Sequence, residues 1–293
     1  VPYLDYFLYA CGLLGSPFGN VPWAGIAMRP SFHYSKMGVQ APPAALAKAK
    51  ELLFFRLLRN RTLKCLFSID ETLTEYVQGG RAKTSRLRFL AEPVAMGAPV
   101  PDKEARAALG LREDGTMLLV YGALTARKGI PALLNAMEHP EFPSEVFVVF
   151  AGKISEEVGH QILEAAKVNG PSGYGHGRMV VFDRFISSAE EALLFSSADV
   201  VWLGYQGHFT SSGVLVQAAM AEKPVIACGE GLIGWRTKRY AAGVCVDIRE
   251  PLAVCAALAA LQAWQPPSPA AQAAQPIGYD LEDFRADVSA CLA

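Results

Sequence analysis

The stretch MLLVYGALTARKGIPALLNAME, residues 117–138, decides the fold class. Residues 117–124 form an almost continuous apolar run with a glycine near its end, which is the pattern of a β-strand buried on both faces. From Ile130 to Glu138, apolar residues recur at helical spacing. A buried strand that passes through a short turn into a helix begins a βαβ unit, so the stretch predicts a parallel sheet.

The same alternation of strand and helix continues along the second part of the chain. It predicts an α/β protein with a doubly wound, parallel-sheet domain over residues 99–276, because crossover helices then cover both faces of the sheet. The further predicted strands are 146–152, 178–185, 199–205 and 224–228, and the further predicted helices are 156–168, 189–198 and 213–222.

Residues 1–98 predict an incomplete N-terminal Rossmann-like domain. Three strands are few for such a domain, and no glycine-rich first turn precedes them. Residues 91–101 contain three prolines and predict a linker, and residues 277–293 predict a closing amphipathic helix that packs back on the N-terminal part. Within 1–98 the predicted strands are 23–29, 65–69 and 86–90, and the predicted helices are 41–59 and 71–78.

Composition narrows the class of protein. With 52% hydrophobic residues the chain is globular, and 27 basic against 28 acidic residues leave no global field that would attract nucleic acid, so any site for a polyanion must be local. The six cysteines form no CxxC pair, which favours buried free thiols and a reducing, cytoplasmic setting. No apolar run reaches the roughly 18 residues of a membrane span, so no transmembrane segment is expected.

A first candidate anion site lies between the strand and the helix of the opening stretch. Gly122 ends the strand, and Arg127 and Lys128 stand immediately before the helix. In open parallel sheets, ligands bind outside the carboxyl ends of the strands, where a helix N-terminus offers N–H groups to a phosphate. The alternative is a solvated turn that happens to carry two basic residues.

A second candidate site follows the strand at 199–205. The polar loop that begins at Gly204 ends at Ser211, Ser212 and Gly213, where the next helix opens on the same edge of the sheet. The alternative is an ordinary serine N-cap. Two helix starts at one edge would hold two phosphates.

Three segments that contain these sites resemble the donor-binding domain of retaining GT-B glycosyltransferases of family four, also called glycosyl transferases group 1. The resemblance implies a GT-B-like fold, with 99–276 as the nucleotide-sugar domain and 1–98 as part of an acceptor-side domain that is truncated at its N-terminus. The segments are GALTARKGIPALLNAM (122–137), FISSAEEALLFSSADVVWLGY (185–205) and SSGVLVQAAMAEKPVIACGEGLIG (211–234).

The resemblance also implies roles for individual residues. Lys128 falls on the lysine that contacts the donor diphosphate, with Arg127 beside it. Of the two motif glutamates, the first falls on His208 or Phe209 and the second on Gln217. On the acceptor side, His33 corresponds to a histidine that points into the cleft, and Arg29 lies in the same loop. The remaining donor-binding candidates are Gly122, Phe185 and Ile186 near the nucleobase, and the backbone of Ser211, Ser212 and Gly213.

The implied activity is transfer of a sugar from a nucleoside-diphosphate sugar, such as a UDP-sugar, to an acceptor hydroxyl with retention of configuration. Such a hexosyltransferase-like enzyme would need no metal or other cofactor, because cations and helix N-termini neutralise the leaving diphosphate. The missing glutamates favour an alternative, a non-catalytic nucleotide-sugar-binding relative or a partner subunit of another transferase. A sugar-phosphate epimerase is a third class. The apolar opening, residues 1–15, is a candidate contact surface for a homodimer or another chain.

Overall fold

The computed structural model describes residues 4–80, 84–95, 97–169, 177–267, 278–279 and 281–292. The chain divides into two compact units. The first unit comprises Val1–Val94 together with Gly278–Ala293, and the second comprises Ala95–Ile277. Each unit has its own parallel sheet.

The first unit is built on a three-stranded parallel sheet in the order β1-β2-β3. A short strand pair, β4 with β11, ties the end of the chain to this unit. The strands are β1 (Trp23–Ala27), β2 (Leu63–Ser68), β3 (Leu87–Phe89), β4 (Glu92–Pro93) and β11 (Gly278–Tyr279), and the helices are α1 (Leu4–Leu14), α2 (Ala47–Leu58), α3 (Glu71–Gly79) and α11 (Leu281–Leu292).

Helices cover both faces of this sheet. Leu66 of β2 points into a core that α1, α2 and α3 close, whereas Cys65 and Phe67 point to the other face. There, Phe284 and Val288 of α11 pack against them. The alternation along β2 therefore places the N-terminal helices and the closing helix on opposite sides of the sheet.

Two predictions for the first unit are corrected. The helix predicted over 41–59 begins only at Ala47: Pro42 and Pro43 disfavour helical conformation in the residue before each of them, and Leu46 has a left-handed backbone conformation with φ 57°. Residues 4–14, which sequence analysis treated only as a contact surface, form α1.

The second unit contains a six-stranded sheet in the order β10-β9-β8-β5-β6-β7, with every pair parallel. The predicted doubly wound fold is confirmed. The strands are β5 (Thr116–Tyr121), β6 (Val146–Ala151), β7 (Met179–Phe182), β8 (Val200–Leu203), β9 (Val225–Ala227) and β10 (Gly243–Cys245), and the helices are α4 (Asp102–Leu109), α5 (Ile130–Met137), α6 (Glu156–Asn169), α7 (Ser188–Ser197), α8 (Gly213–Met220), α9 (Gly231–Arg239) and α10 (Pro251–Leu261).

Burial of β5 on both faces explains its continuous apolar sequence. Leu118 and Val120 face a core shared with α5, α6 and α10, and Met117 and Leu119 face a core shared with α7, α8 and α9. Each core removes apolar side chains from water on one side of the sheet, and this burial is the main stabilising contribution.

The strand order places a topological switch point between β5 and β8. From β5 the chain adds β6 and β7 on one side and then returns to add β8, β9 and β10 on the other. The connections after β5 and β8 therefore leave the sheet in opposite directions, which opens a crevice at their carboxyl ends.

Packing of α1 on α2 depends on Gly12. A Cβ atom at this position would lie 2.1 Å from the carbonyl oxygen of Leu53, so the two helix backbones are in direct contact. We expect Gly12→Ala to lower the free energy of unfolding of the first unit by about 1–3 kcal/mol, because the helices must separate. Faster exchange of the backbone amide hydrogens of α1 would report this loss of stability.

The matched control is Gly79→Ala at the end of α3, where an added Cβ meets no atom of the described chain within 4 Å. We expect this variant to match the parent protein or exceed its stability slightly. Equal exchange rates in α1 for both variants would contradict the close packing.

Candidate functional site

Glycines bring the backbone segments at the switch point into close contact. A Cβ atom at Gly152, after β6, would lie 1.9 Å from the carbonyl oxygen of Gly122, after β5. A Cβ atom at Gly129 would lie 2.1 Å from the carbonyl oxygen of Gly204, after β8. Gly122, Gly129 and Gly152 also have positive φ angles of 94°, 69° and 140°, which favour glycine. The crevice is therefore lined by backbone.

Lys128 lies at the floor of this crevice. It ends a 3-10 turn, Ala126–Lys128, that connects β5 to α5, and its side chain is buried. The Nζ atom donates hydrogen bonds to the Tyr121 carbonyl oxygen at 2.6 Å and to the Tyr205 hydroxyl at 2.9 Å. A Cβ atom added at Gly122 would be 3.5 Å from this Nζ, so the ammonium group lies directly beside that glycine.

The N-terminus of α8 reaches the same point. Val214, in its first turn, places Cγ2 4.0 Å from the position of a Cβ at Gly122. Ser212 is the N-cap residue by position, but its Oγ donates to the Tyr205 hydroxyl at 3.2 Å rather than accepting from the helix. The first N–H groups of a helix have no acceptor within the helix, so this end attracts an anion.

Tyr205 joins the two sites, and sequence analysis missed this role. Its buried hydroxyl contacts both Lys128 and Ser212, and the Lys128 Nζ lies 4.8 Å from the centre of its ring. Trp202, in β8, donates from Nε1 to the Lys128 carbonyl oxygen at 2.8 Å. The available signal was the position of Tyr205 just beyond a predicted strand, on the edge where ligands bind.

Arg236 is a second buried cation that sequence analysis missed. It lies on α9 with 1% of its surface exposed, and its Nη1 donates to Ser211 Oγ at 2.5 Å. His208 Nε2 lies 2.9 Å from the Ser211 carbonyl oxygen, and its ring lies 5.0 Å from that of Tyr205. Arg236 of α9 and the ring of Tyr205 therefore both contact the loop that precedes α8.

Three further residues that sequence analysis predicted to bind the donor are Arg127, Gln217 and Gly213. Arg127 is exposed. Its backbone carbonyl oxygen accepts a hydrogen bond from the backbone N–H of Gln206 at 2.8 Å. Gln217 lies in the second turn of α8 and is half-buried, and Gly213 is exposed at the helix start. The structure therefore brings Gly122, Lys128, Ser212 and the start of α8 together.

Phe185 and Ile186, predicted near the nucleobase, differ in their surroundings. Both follow β7, which lies two strands from β5 in the sheet. Phe185 is 88% exposed, whereas Ile186 is buried in the core beneath α7. Of the two, Phe185 presents its ring to solvent.

Two further groups at this sheet edge are held in their neutral forms. Burial, together with a hydrogen bond to Glu191, raises the pKa of Tyr121 well above its usual value. Burial also raises the pKa of the Cys228 thiol, after β9, to about 12. Neither group is an anion at neutral pH, so neither repels a phosphate.

His33, predicted on the acceptor side, lies in the first unit and is fully buried there. Its Nε2 is 2.9 Å from Thr72 Oγ1 and 3.3 Å from Asp70 Oδ2, and its ring stacks on that of Tyr76. Among the described residues, none forms a hydrogen bond with Nδ1. Arg29, in the same loop, is exposed. His33 thus links the loop after β1 to the N-terminus of α3, and its role toward a substrate stays a prediction.

In the described ranges, no three His, Cys, Asp or Glu side chains are grouped so that they could hold a metal ion. No helix within the same ranges has the length and apolar character needed to cross a membrane.

Solved structures of other proteins superpose on this chain and identify its fold. No protein-family model and no curated protein matches this sequence. Among solved structures, sucrose-phosphate synthase from Thermosynechococcus elongatus superposes with a TM-score of 0.63 at 18% identity, over 96% of this chain and 70% of that one. Anabaena HepE in complex with UDP gives 0.64 at 15% identity, over 98% and 76% of the two chains.

The chain has a GT-B glycosyltransferase fold. WaaG, a glycosyltransferase involved in lipopolysaccharide biosynthesis, adds a TM-score of 0.56 at 14% identity, over 98% of this chain and 81% of that one. The GT-B assignment confirms the fold that the three sequence segments implied.

We expect Tyr205→Phe to lower the free energy of unfolding by about 1–3 kcal/mol, because the Lys128 ammonium and the Ser212 hydroxyl each lose a buried partner. Urea titration measures the change. The control is Tyr6→Phe, since the Tyr6 ring is mostly exposed and its hydroxyl lies at the surface; it should change stability by less than about 0.5 kcal/mol. Equal stability of the two variants would show that Tyr205 does not hold the site together.

Proposed function

We propose that this chain transfers a sugar from a nucleoside-diphosphate sugar to an acceptor hydroxyl, with retention of configuration. The observation that carries the proposal is the convergence of the Lys128 ammonium and the start of α8 on Gly122. A buried cation and a helix N-terminus that meet at a backbone-lined crevice suit a diphosphate group.

In this proposal the Lys128 ammonium hydrogen-bonds to the protein and to the ligand at the same time. An ammonium group offers three hydrogen-bond donors, and the Tyr121 carbonyl and Tyr205 hydroxyl accept two of them. The third donor is available to a phosphate oxygen. Because both protein partners fix the Nζ position before a ligand arrives, no reorganisation is needed when charge develops.

The proposed mechanism is stabilisation of the leaving group. Cleavage of the glycosyl bond builds negative charge on the diphosphate, and only interactions that strengthen with that charge accelerate the reaction. Lys128 and the N–H groups of Gly213 and Val214 face this charge, and Arg127 adds a cation at the rim. In this proposal these groups do the work that a metal ion does in other transferases.

The remaining roles follow the resemblance to family four. Ser211 and Ser212 hold the loop whose backbone meets the phosphates, Gln217 binds ribose hydroxyls and Phe185 covers the nucleobase. His208 lies where a glutamate would contact the sugar. In the first unit, His33 and Arg29 are the proposed acceptor-side residues.

A UDP-sugar is the donor that we propose. HepE has been solved with UDP and with UDP-glucose, which makes this nucleotide the first to test. The proposal concerns the hexosyltransferase class of reaction, and the acceptor is an alcohol.

A second candidate function is binding of a nucleotide sugar without transfer, either alone or as the partner subunit of a transferase. The observation that favours it is the chemistry of His208 and Gln217. Neither provides a carboxylate, and His208 Nε2 is already within hydrogen-bond distance of the Ser211 carbonyl oxygen. Both candidates require the same diphosphate site and differ in whether the sugar leaves.

We expect Lys128→Met to weaken UDP binding by roughly 10- to 100-fold, because a charged hydrogen bond contributes about 1.5–3 kcal/mol. Methionine keeps most of the side-chain volume and removes the charge. Isothermal titration calorimetry with UDP measures the affinity, and circular dichroism checks that the fold persists. Lys167→Met, which changes an exposed lysine on α6, should leave the affinity unchanged.

Release of UDP from UDP-glucose, followed with the parent protein, separates the two candidates. Turnover that Lys128→Met abolishes supports transfer. Tight binding with no release, over a panel of sugar acceptors, supports the binding protein. Unchanged affinity for UDP in Lys128→Met would reject the diphosphate site in both.

A further inference from the structure

A cavity opens at the amino ends of the strands of the six-stranded sheet, and we call it the amino-edge cavity. Its volume is about 390 Å³, and its wall includes Thr116 at the start of β5, Val200 at the start of β8 and Pro224 just before β9. The switch-point crevice lies at the carboxyl ends of the same strands. Since β5 has six residues and a strand rises about 3.3 Å per residue, roughly 20 Å separates the two. The amino-edge cavity is therefore no part of the diphosphate site.

Trp264 gives the amino-edge cavity an aromatic wall. The indole is half-buried, because it packs against the core that α5 and α10 share, and its Nε1 donates to the Ala241 carbonyl oxygen at 3.2 Å. Leu261, at the end of α10, adds an apolar side chain to the wall. A ring that is held by the core and by its N–H presents a fixed apolar surface to a ligand.

Polar groups with unused hydrogen-bonding capacity line the same cavity. Asp199 Oδ2 accepts from the Arg106 guanidinium at 2.8 Å and from the Met117 N–H at 2.6 Å, whereas Oδ1 has no partner in the described part of the chain. Lys223 Nζ donates to the Ser196 carbonyl oxygen at 3.0 Å, which leaves two of its three donors for a ligand. The cavity thus offers an acceptor and a donor whose positions the protein already fixes.

The turn that carries Lys223 has a strained backbone. Glu222 has a φ angle of 55°, in the left-handed region that glycine ordinarily occupies after a helix. Two hydrogen bonds hold the turn, from the Glu222 N–H to the Ala219 carbonyl oxygen at 3.0 Å and from the Lys223 N–H to the Ala218 carbonyl oxygen at 2.8 Å. Strain of this kind clusters at ligand sites. Here it accompanies two charged side chains in the cavity wall.

The charges of the lining select the class of ligand. Asp199 is paired with Arg106 at 2.8 Å, and the adjacent Glu222 and Lys223 are opposite in charge. Together these four side chains carry no net formal charge, so a charged ligand would leave its own charge uncompensated. The fitting ligand is neutral, donates and accepts hydrogen bonds, and has an apolar face. Sugars combine these properties, because each hydroxyl both donates and accepts and the C–H face of a pyranose ring packs flat on an indole.

We propose that the amino-edge cavity binds a neutral saccharide of one or two sugar rings. A volume of about 390 Å³ lies within the roughly 300–1,000 Å³ range of ligand pockets. The C–H face of one ring packs on Trp264, and its hydroxyls donate to Asp199 Oδ1 and accept from Lys223 Nζ. The site is independent of the proposed transfer reaction, because its residues lie at the other edge of the sheet.

Saturation-transfer NMR titrations of the full chain with glucose, galactose, mannose, maltose and cellobiose test the proposal. We expect at least one of these sugars to bind in the millimolar range, since a few hydrogen bonds and one ring contact replace contacts with water. Saturating UDP should leave this affinity unchanged. Binding of UDP itself is measured in the same samples, so a failure of the saccharide site is distinguishable from a failure of the diphosphate site.

Variants of the lining locate the bound sugar. Trp264→Ala should weaken binding at least about tenfold, whereas Trp264→Phe, which keeps a ring, should weaken it less. Lys223→Met keeps most of the side-chain volume and should weaken binding about tenfold. The matched controls are Trp235→Ala on α9 and Lys167→Met on α6, which lie outside the described lining of the cavity and should bind like the parent protein. Thermal melting of each variant checks the fold.

Three results would overturn the proposal. The first is the absence of binding by all five sugars. The second is displacement of the sugar by UDP, which would assign it to the switch-point crevice. The third is equal affinity of the folded Trp264→Ala and Trp235→Ala variants for the sugar that the parent protein binds.

Discussion

The Lys128 ammonium is a buried positive charge, and the site depends on how that charge is held. Removing an ion from water is costly unless hydrogen bonds replace the lost solvent. The Tyr121 carbonyl and the Tyr205 hydroxyl replace it, and they come from the ends of the two strands that flank the switch point. The same two bonds that make burial tolerable therefore also fix the cation between β5 and β8.

Close backbone packing makes this arrangement possible. Gly129, Gly152 and Gly204 each lie where a Cβ atom would collide with a neighbouring backbone or ring, and Gly122 has a positive φ angle of 94°. With side chains absent, the connections after β5, β6 and β8 approach closely enough for Lys128 to reach both acceptors. The helix start at Gly213 then adds backbone N–H groups to the crevice.

The first unit is stabilised by helices that pack on both faces of its three-stranded sheet. Helices α1, α2 and α3 pack on one face of its sheet, and α11 packs on the other. On α1, the side chains of Tyr6, Leu13 and Leu14 are more than half exposed.

The sequence by itself determined the doubly wound sheet of the second unit, since continuous apolar strands alternating with amphipathic helices have few other ways to bury their surface. It also determined that Gly122 and Lys128 belong to one sheet edge with Ser212, because strand ends in a parallel sheet share an edge. Only the tertiary structure decided that Tyr205 bridges Lys128 to Ser212, that Arg236 holds Ser211 and that Ile186 belongs to the core. Periodicity reports which face a residue occupies, whereas these contacts join side chains far apart in the chain, and their partners are set by the packing of helices that the local sequence does not specify.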